Sequence, residues 1–210
     1  ISPDGQHIAL GGPSKRIEVF DRSGQRIYRI AKAHRDWVLD LSFGPNGRHL
    51  ASAGRDGNVA VFLADSGRDV HSLQGHTGAV HRVRFSPDGN TIVSAGADGT
   101  LRGWNVRDGK ARGNSRAHQG PVTALSVDRE GRVASAGQDG NIQVHTLAGK
   151  NLRKSKSVGD WVYCIDFAAD GQSVLAGDFR GRLITLDLKQ PKAPLRLETP
   201  AEPAADGVAR

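Results

Sequence analysis

Short apolar runs broken by glycine-bearing turns cover nearly the whole chain. Residues 80–104 are typical: VHRVRF, TIVSAG and LRGW are rich in β-branched and aromatic side chains, and Pro87-Asp88-Gly89 and Asp98-Gly99 separate them. Runs this short between turn signals read as strands rather than helices. The same order of runs and turns returns along the chain. Its turn glycines fall at Gly5, Gly47, Gly89, Gly131 and Gly171, in steps of 42, 42, 42 and 40 residues. A nearly fixed period of this length marks a repeat architecture, in which each unit buries its apolar faces against its neighbours.

The pattern predicts three strands in the first repeat, at 7–11, 16–21 and 26–30, because ISPDG at residues 1–5 matches only the end of FSPDG at 85–89. The innermost strand of that repeat is therefore missing. The second repeat gives strands at 37–43, 49–53, 58–62 and 69–73, and the third at 79–85, 91–95, 100–104 and 110–115. The fourth gives 122–127, 133–136, 141–146 and 151–157, and the fifth 162–167, 173–176, 182–187 and 195–198. The innermost strands are apolar on both sides, as expected of sheets sandwiched between neighbours, and the outer ones are polar. Residues 200–210 hold Pro, Ala and Gly without an apolar pattern and read as a disordered tail.

Gly75-His76 opens the third repeat and Trp104-Asn105 closes it. Ala33-His34, Ala117-His118 and Ser157-Val158 stand at other openings, and Phe20-Asp21, Phe62-Leu63, His145-Thr146 and Leu186-Asp187 at other closings. On these residues the chain resembles the WD40-repeat family over nearly its whole length. The resemblance implies an all-β propeller of about five four-stranded antiparallel blades, in segments 1–32, 33–74, 75–116, 117–156 and 157–199, with the first blade incomplete. Members with this repeat length commonly have seven blades, so the resemblance implies a larger ring. The start at Ile1 in mid-repeat, without an initiator methionine, leads us to expect a C-terminal piece of a longer protein.

Composition modifies this picture in three places. A net charge of +7 raises nucleic acid as a partner. Lys110, Arg112, Arg116, Lys150, Arg153, Lys154 and Lys156 gather in or beside two outer strands, where basic residues also guard an edge against unwanted pairing. No aromatic residue stands among them for base stacking, so nucleic acid or polyanion binding at this rim ranks behind a protein partner. The lone Cys164, in the apolar run 161–167, is expected to be a buried inert thiol, and the absence of any intrachain disulfide favours the cytoplasm. No apolar run is long enough to span a bilayer and no export leader is seen, so a membrane is not an expected partner.

Candidate chemistry is sparse. His34, His76 and His118 are 42 residues apart, in different repeats, and do not converge on a metal ion. There is no alternating carboxylate loop for calcium, no phosphate loop, no dinucleotide fingerprint and no zinc spacing. No cofactor and no small-molecule substrate are expected. In the WD40 family the opening His joins a strand Ser, a turn Asp and the closing Trp in a hydrogen-bonded set. The resemblance implies such sets at His76, Ser94, Asp98 and Trp104; at His34, Ser52 and Asp56, with Phe62 in the Trp place; and at His118, Ser135 and Asp139, with His145 there. Ser, His and Asp imitate a hydrolase triad, but three copies of one set point to a structural device, and an enzyme is not expected.

The resemblance also implies a binding face. Positions three and five after the opening His, and the one before the turn Asp, face the narrow top of family propellers and commonly touch partners. These are Trp37, Leu39 and Arg55; Ala79, His81 and Ala97; Pro121, Thr123 and Gln138; and Trp161, Tyr163 and, past an extra residue, Arg180. The expected function is a non-catalytic protein-interaction scaffold. Alternatives are the sensor or docking propeller of a larger signalling protein with an upstream enzymatic domain, and a nucleic-acid or polyanion binder. For Trp37 and Trp161 the competing reading is ordinary core between blades.

Overall fold

The computed structural model describes residues 1–190 and 196–198. It forms five antiparallel sheets, each a meander whose spatial order follows the chain, with no helix among the described residues. The first has three strands: β1 (His7–Gly11), β2 (Ile17–Asp21) and β3 (Arg26–Ile30). The second blade is β4 (Val38–Phe43), β5 (His49–Gly54), β6 (Asn58–Leu63) and β7 (Asp69–Gln74). The third is β8 (Val80–Phe85), β9 (Thr91–Gly96), β10 (Thr100–Asn105) and β11 (Ala111–Arg116). The fourth is β12 (Val122–Val127), β13 (Arg132–Gly137), β14 (Ile142–Thr146) and β15 (Asn151–Lys154). The fifth is β16 (Val162–Phe167), β17 (Ser173–Asp178), β18 (Leu183–Asp187) and β19 (Arg196–Glu198). The end of the strand expected at 195–198 is thus a strand, while residue 195 and the tail expected at 200–210 lie outside the described residues.

Strand alternation gives every inner blade two apolar faces. On β6, Val59 and Val61 pack with Val80, Ile92 and Trp104 of the third blade, whereas Ala60 and Phe62 pack with Ile17 and Val19 of the first. Val93 and Leu101 meet Val122 and Val133, and Ile142 and Val144 meet Val162, Val174 and Ile184. The inner strands β4, β8, β12 and β16 pack on one another in turn.

Two expectations change. In the second and third blades the second strand is more enclosed than the innermost, with β9 buried throughout and β5 at all but one position while β4 and β8 keep half-buried positions; in the fourth, β12 and β13 are equally buried. An innermost strand lacks a sheet partner on one edge, whereas the second strand is paired on both. Cys164 is exposed, not buried. It pairs with Gly177, which pairs with Leu183, on a face of the fifth sheet where Leu175 and Leu183 are also exposed. Burial of a blade face comes from the next blade, and no described sheet covers this one. The first sheet likewise leaves Leu10 and Ile27 exposed.

Candidate functional site

The top of the blades is the end where the opening loops meet the Asp-Gly turns, and three polar sets hold it together. The glycines of Asp56-Gly57, Asp98-Gly99 and Asp139-Gly140 take positive φ, a conformation that costs glycine little. Each turn thereby brings its carboxylate to the preceding His. In the third blade His76 Nδ1 donates to Asp98 at 3.1 Å, His76 Nε2 lies 2.8 Å from Ser94 Oγ, and Trp104 Nε1 donates to Ser94 Oγ at 2.9 Å. One proton order satisfies every group: indole N–H to serine, serine hydroxyl to Nε2, Nδ1–H to carboxylate, with the imidazole neutral. Burial lowers the His76 pKa against the pull of Asp98, in keeping with that order. Burial would raise the Asp98 carboxyl, but hydrogen bonds from Thr100, the Thr77 N–H and His76 hold it down at about 2. A Cβ at Gly96 would overlap both the His76 ring and the Asp98 carboxylate, which is why the strand must end Ser-Ala-Gly.

The second blade repeats the arrangement, with His34 3.0 Å from Asp56 and 2.7 Å from Ser52, while Phe62 has no N–H to offer. In the fourth, His118 lies 2.9 Å from Asp139 and 3.0 Å from Ser135. His145 takes the Trp104 place, and a cavity of about 190 Å³ opens beside it between the third and fourth blades. Ser52, Ser94 and Ser135 are all fully buried, so no substrate reaches the hydroxyl that a hydrolase would use. The fifth blade has Val158 instead of His and builds a different lock. Arg182 donates to Asp178 at 2.7 Å and to the Val158 carbonyl at 2.9 Å, a pair the sequence did not announce.

Residues expected on the partner face divide into two kinds. Leu39, His81, Thr123 and Tyr163 are each the extra residue of a β-bulge, since pairing skips from Val38 to Asp40, Val80 to Arg82, Val122 to Ala124 and Val162 to Cys164. A bulge re-aims its side chain. His81 Nδ1 donates to the Val122 carbonyl of the next blade at 2.8 Å, and the Thr123 hydroxyl donates to the Val162 carbonyl. Thr123 is buried and therefore leaves the proposed face, because its position serves as a strut between blades. Leu39 is half-buried, and Tyr163 is 41 % exposed. Below them, Asp40 accepts from the Val83 N–H and Arg84, and Ser126 donates to Asp166, again across one blade boundary.

The second kind stands out of the rim. Trp37 and Trp161 are 44 % and 45 % exposed, too open for ordinary core. They share one mounting. Asp36 and Asp160 each accept the N–H of the following Trp at 2.8 Å, and the Trp carbonyl accepts the N–H of a turn residue, Arg55 at 2.8 Å in one blade and Phe179 at 2.9 Å in the other. The Arg55 guanidinium lies 5.2 Å from the centre of the Trp37 ring. Arg55 also lies 3.9 Å from Asp36, and Arg180 pairs more closely with Asp160, at 2.9 Å. The turn carries no extra residue: Val162 pairs with Asp178 as Val38 does with Gly54, so Asp178 ends the strand and Phe179, 72 % exposed, takes the place expected for Arg180. Its sequence signal was an aromatic residue inside a turn that is otherwise small or polar. Trp161, Tyr163 and Phe179 form a row with 6.2 Å between neighbouring ring centres and tilts of 58° and 48°. Ala79, Ala97, Pro121 and the half-buried Gln138 make the intervening rim low. At the blade edges Lys110, Arg112, Arg116, Lys150, Lys154 and Lys156 are exposed and Arg153 is half-buried.

A model described as WD domain, G-beta repeat matches residues 67–105 and 109–146, and one described as anaphase-promoting complex subunit 4 WD40 domain matches residues 2–80. No curated protein matches the chain. The two WD40 models together span more than half of its length, each matched G-beta repeat runs from the outer strand of one sheet through the third strand of the next, and the chain belongs to the WD40-repeat family.

Proposed function

We propose that this chain is a non-catalytic scaffold that docks protein partners on its top rim, using Trp37 and Arg55 on the second blade and Trp161, Tyr163 and Phe179 on the fifth. WD40 repeats in general serve protein–protein interaction. The observation that carries the reading is the shared mounting: two blades hold a Trp into solvent on the same Asp-capped, turn-bonded frame. Leaving so much aromatic surface in water forgoes burial energy, and Trp, Tyr and Arg dominate interface hot spots. The test replaces Trp37 and Trp161 with Ala together and measures both melting and partner capture from cell extract. The expected result is an unchanged melting temperature with capture lost. A loss of about 3 to 5 kcal/mol per Trp would instead mark both as core.

A further inference from the structure

The second and fifth blades use one mounting but finish it differently, and the difference points to a ligand. On the second blade the residue bonded to the Trp37 carbonyl is Arg55, whose guanidinium caps the indole face. On the fifth blade that residue is Phe179, so the same step of the turn supplies a third ring in place of a cation. Arg55 reaches the Trp37 face while standing 3.9 Å from Asp36, whereas Arg180 is drawn in to 2.9 Å from Asp160 and stacks on none of the three rings. Among the described residues a guanidinium stacks only on Trp37 and on Phe167, leaving the faces of Trp161, Tyr163 and Phe179 without one. Aromatic faces carry negative potential and attract cations within about 6 Å, Arg more often than Lys.

Resting on the top-rim reading, we propose that the row Trp161–Tyr163–Phe179 docks an arginine side chain presented by an extended segment of the protein partner. The second blade is the internal pattern for the contact: Arg55 over Trp37 shows the occupant that the same frame accepts. The net charge of +7 works against a basic partner at long range, so recognition is made at the contact itself and not by steering.

The full chain is titrated with a blocked Gly/Ser peptide carrying one arginine, and with the same peptide carrying uncharged citrulline, while the indole N–H resonances are followed by NMR. Trp104 is a control, since its indole is buried and bonded to Ser94. The expected result is that the arginine peptide moves the Trp161 resonance, leaves Trp37 nearly in place because Arg55 covers it, and that citrulline moves neither. Phe179→Arg should rebuild the second-blade arrangement and weaken the peptide about tenfold, as loss of a cation–π contact requires. Phe179 is mostly exposed, so the variant retains the fold, which an unchanged melting temperature checks. A Trp161 resonance that ignores arginine, or responds equally to citrulline, overturns the proposal. Partner capture lost in Trp161→Ala but kept in Phe179→Arg removes this inference alone, whereas capture kept when Trp37 and Trp161 are both replaced by Ala removes the top-rim reading beneath it.

Discussion

The third and fourth blades carry the same His-Ser-Asp core but end it with different residues, and the contrast separates what the motif needs from what it merely prefers. In the third, Trp104 fills the space against the second blade and hands its N–H to Ser94. In the fourth, Gln143 Nε2 donates to the Ala117 carbonyl, so its Oε1 faces Asn151 and accepts the amide of that residue at 2.9 Å. Asn151 then donates to His145 Nε2 at 3.1 Å, which puts the proton of the neutral ring on Nδ1, where it is buried without an acceptor. A stranded donor of this kind costs about 1 to 3 kcal/mol, and the cavity beside it adds lost packing. The polar triplet therefore survives without the Trp, and the Trp contributes volume and one donor.

The contrast can be broken in three places. The largest expected effect is Trp104→Ala, which should remove about 4 kcal/mol in denaturant unfolding, as deletion of a buried Trp does. A cost below about 1 kcal/mol would mean that the Trp matters no more than its substitute. Next, Asp98→Ala and Asp139→Ala should each cost about 2 kcal/mol by stranding His76 or His118, and the two values should agree if the triplets are independent of the closing residue. An Asp98 variant that costs far more would show the Trp and the triplet to be coupled.

The smallest effect is also the sharpest. His145→Trp should fill the void, remove the stray donor and add about 1 kcal/mol. It should also flatten part of the acid response. Burial, aided by His118, lowers His145 from 6.5 to about 4, so as pH falls through that window the unfolded chain takes a proton that the folded one refuses. Stability from this group is full above 6.5 and is lost on the way down to about 4. The slope of melting temperature between those values should be shallower in the Trp variant, with His76 and His118 supplying what remains. A variant with the parent slope would remove His145 from the account.

The sequence made the repeats and the polar triplets readable because both depend on local spacing: a His, a Ser and an Asp in fixed register must meet whenever the strands between them pair. Thr123 was misplaced for the opposite reason. Its acceptor is a carbonyl 39 residues away on another sheet, and neither residue type nor period encodes that meeting. Phe179 was missed because Gly177 looks like the glycine that ends the strand, whereas pairing gives that place to Asp178 and so puts Phe179 where Arg55 stands in the second blade. Cys164 sits in a run that looks like core, yet its exposure is decided by whether another sheet covers that face.

In each of the struts between blades a side chain on the inner strand of the earlier blade reaches a group on the later one: Asp40 accepts from Val83 and Arg84, His81 donates to Val122, Thr123 to Val162 and Ser126 to Asp166. At the ribosome that direction becomes a delay. Each blade emerges with a polar side chain whose counterpart is still about forty residues from the exit, roughly 2 to 8 seconds at ordinary synthesis rates. Until then that polar group on the newest sheet lacks its partner on the next blade, and synthesis limits how early each boundary can close.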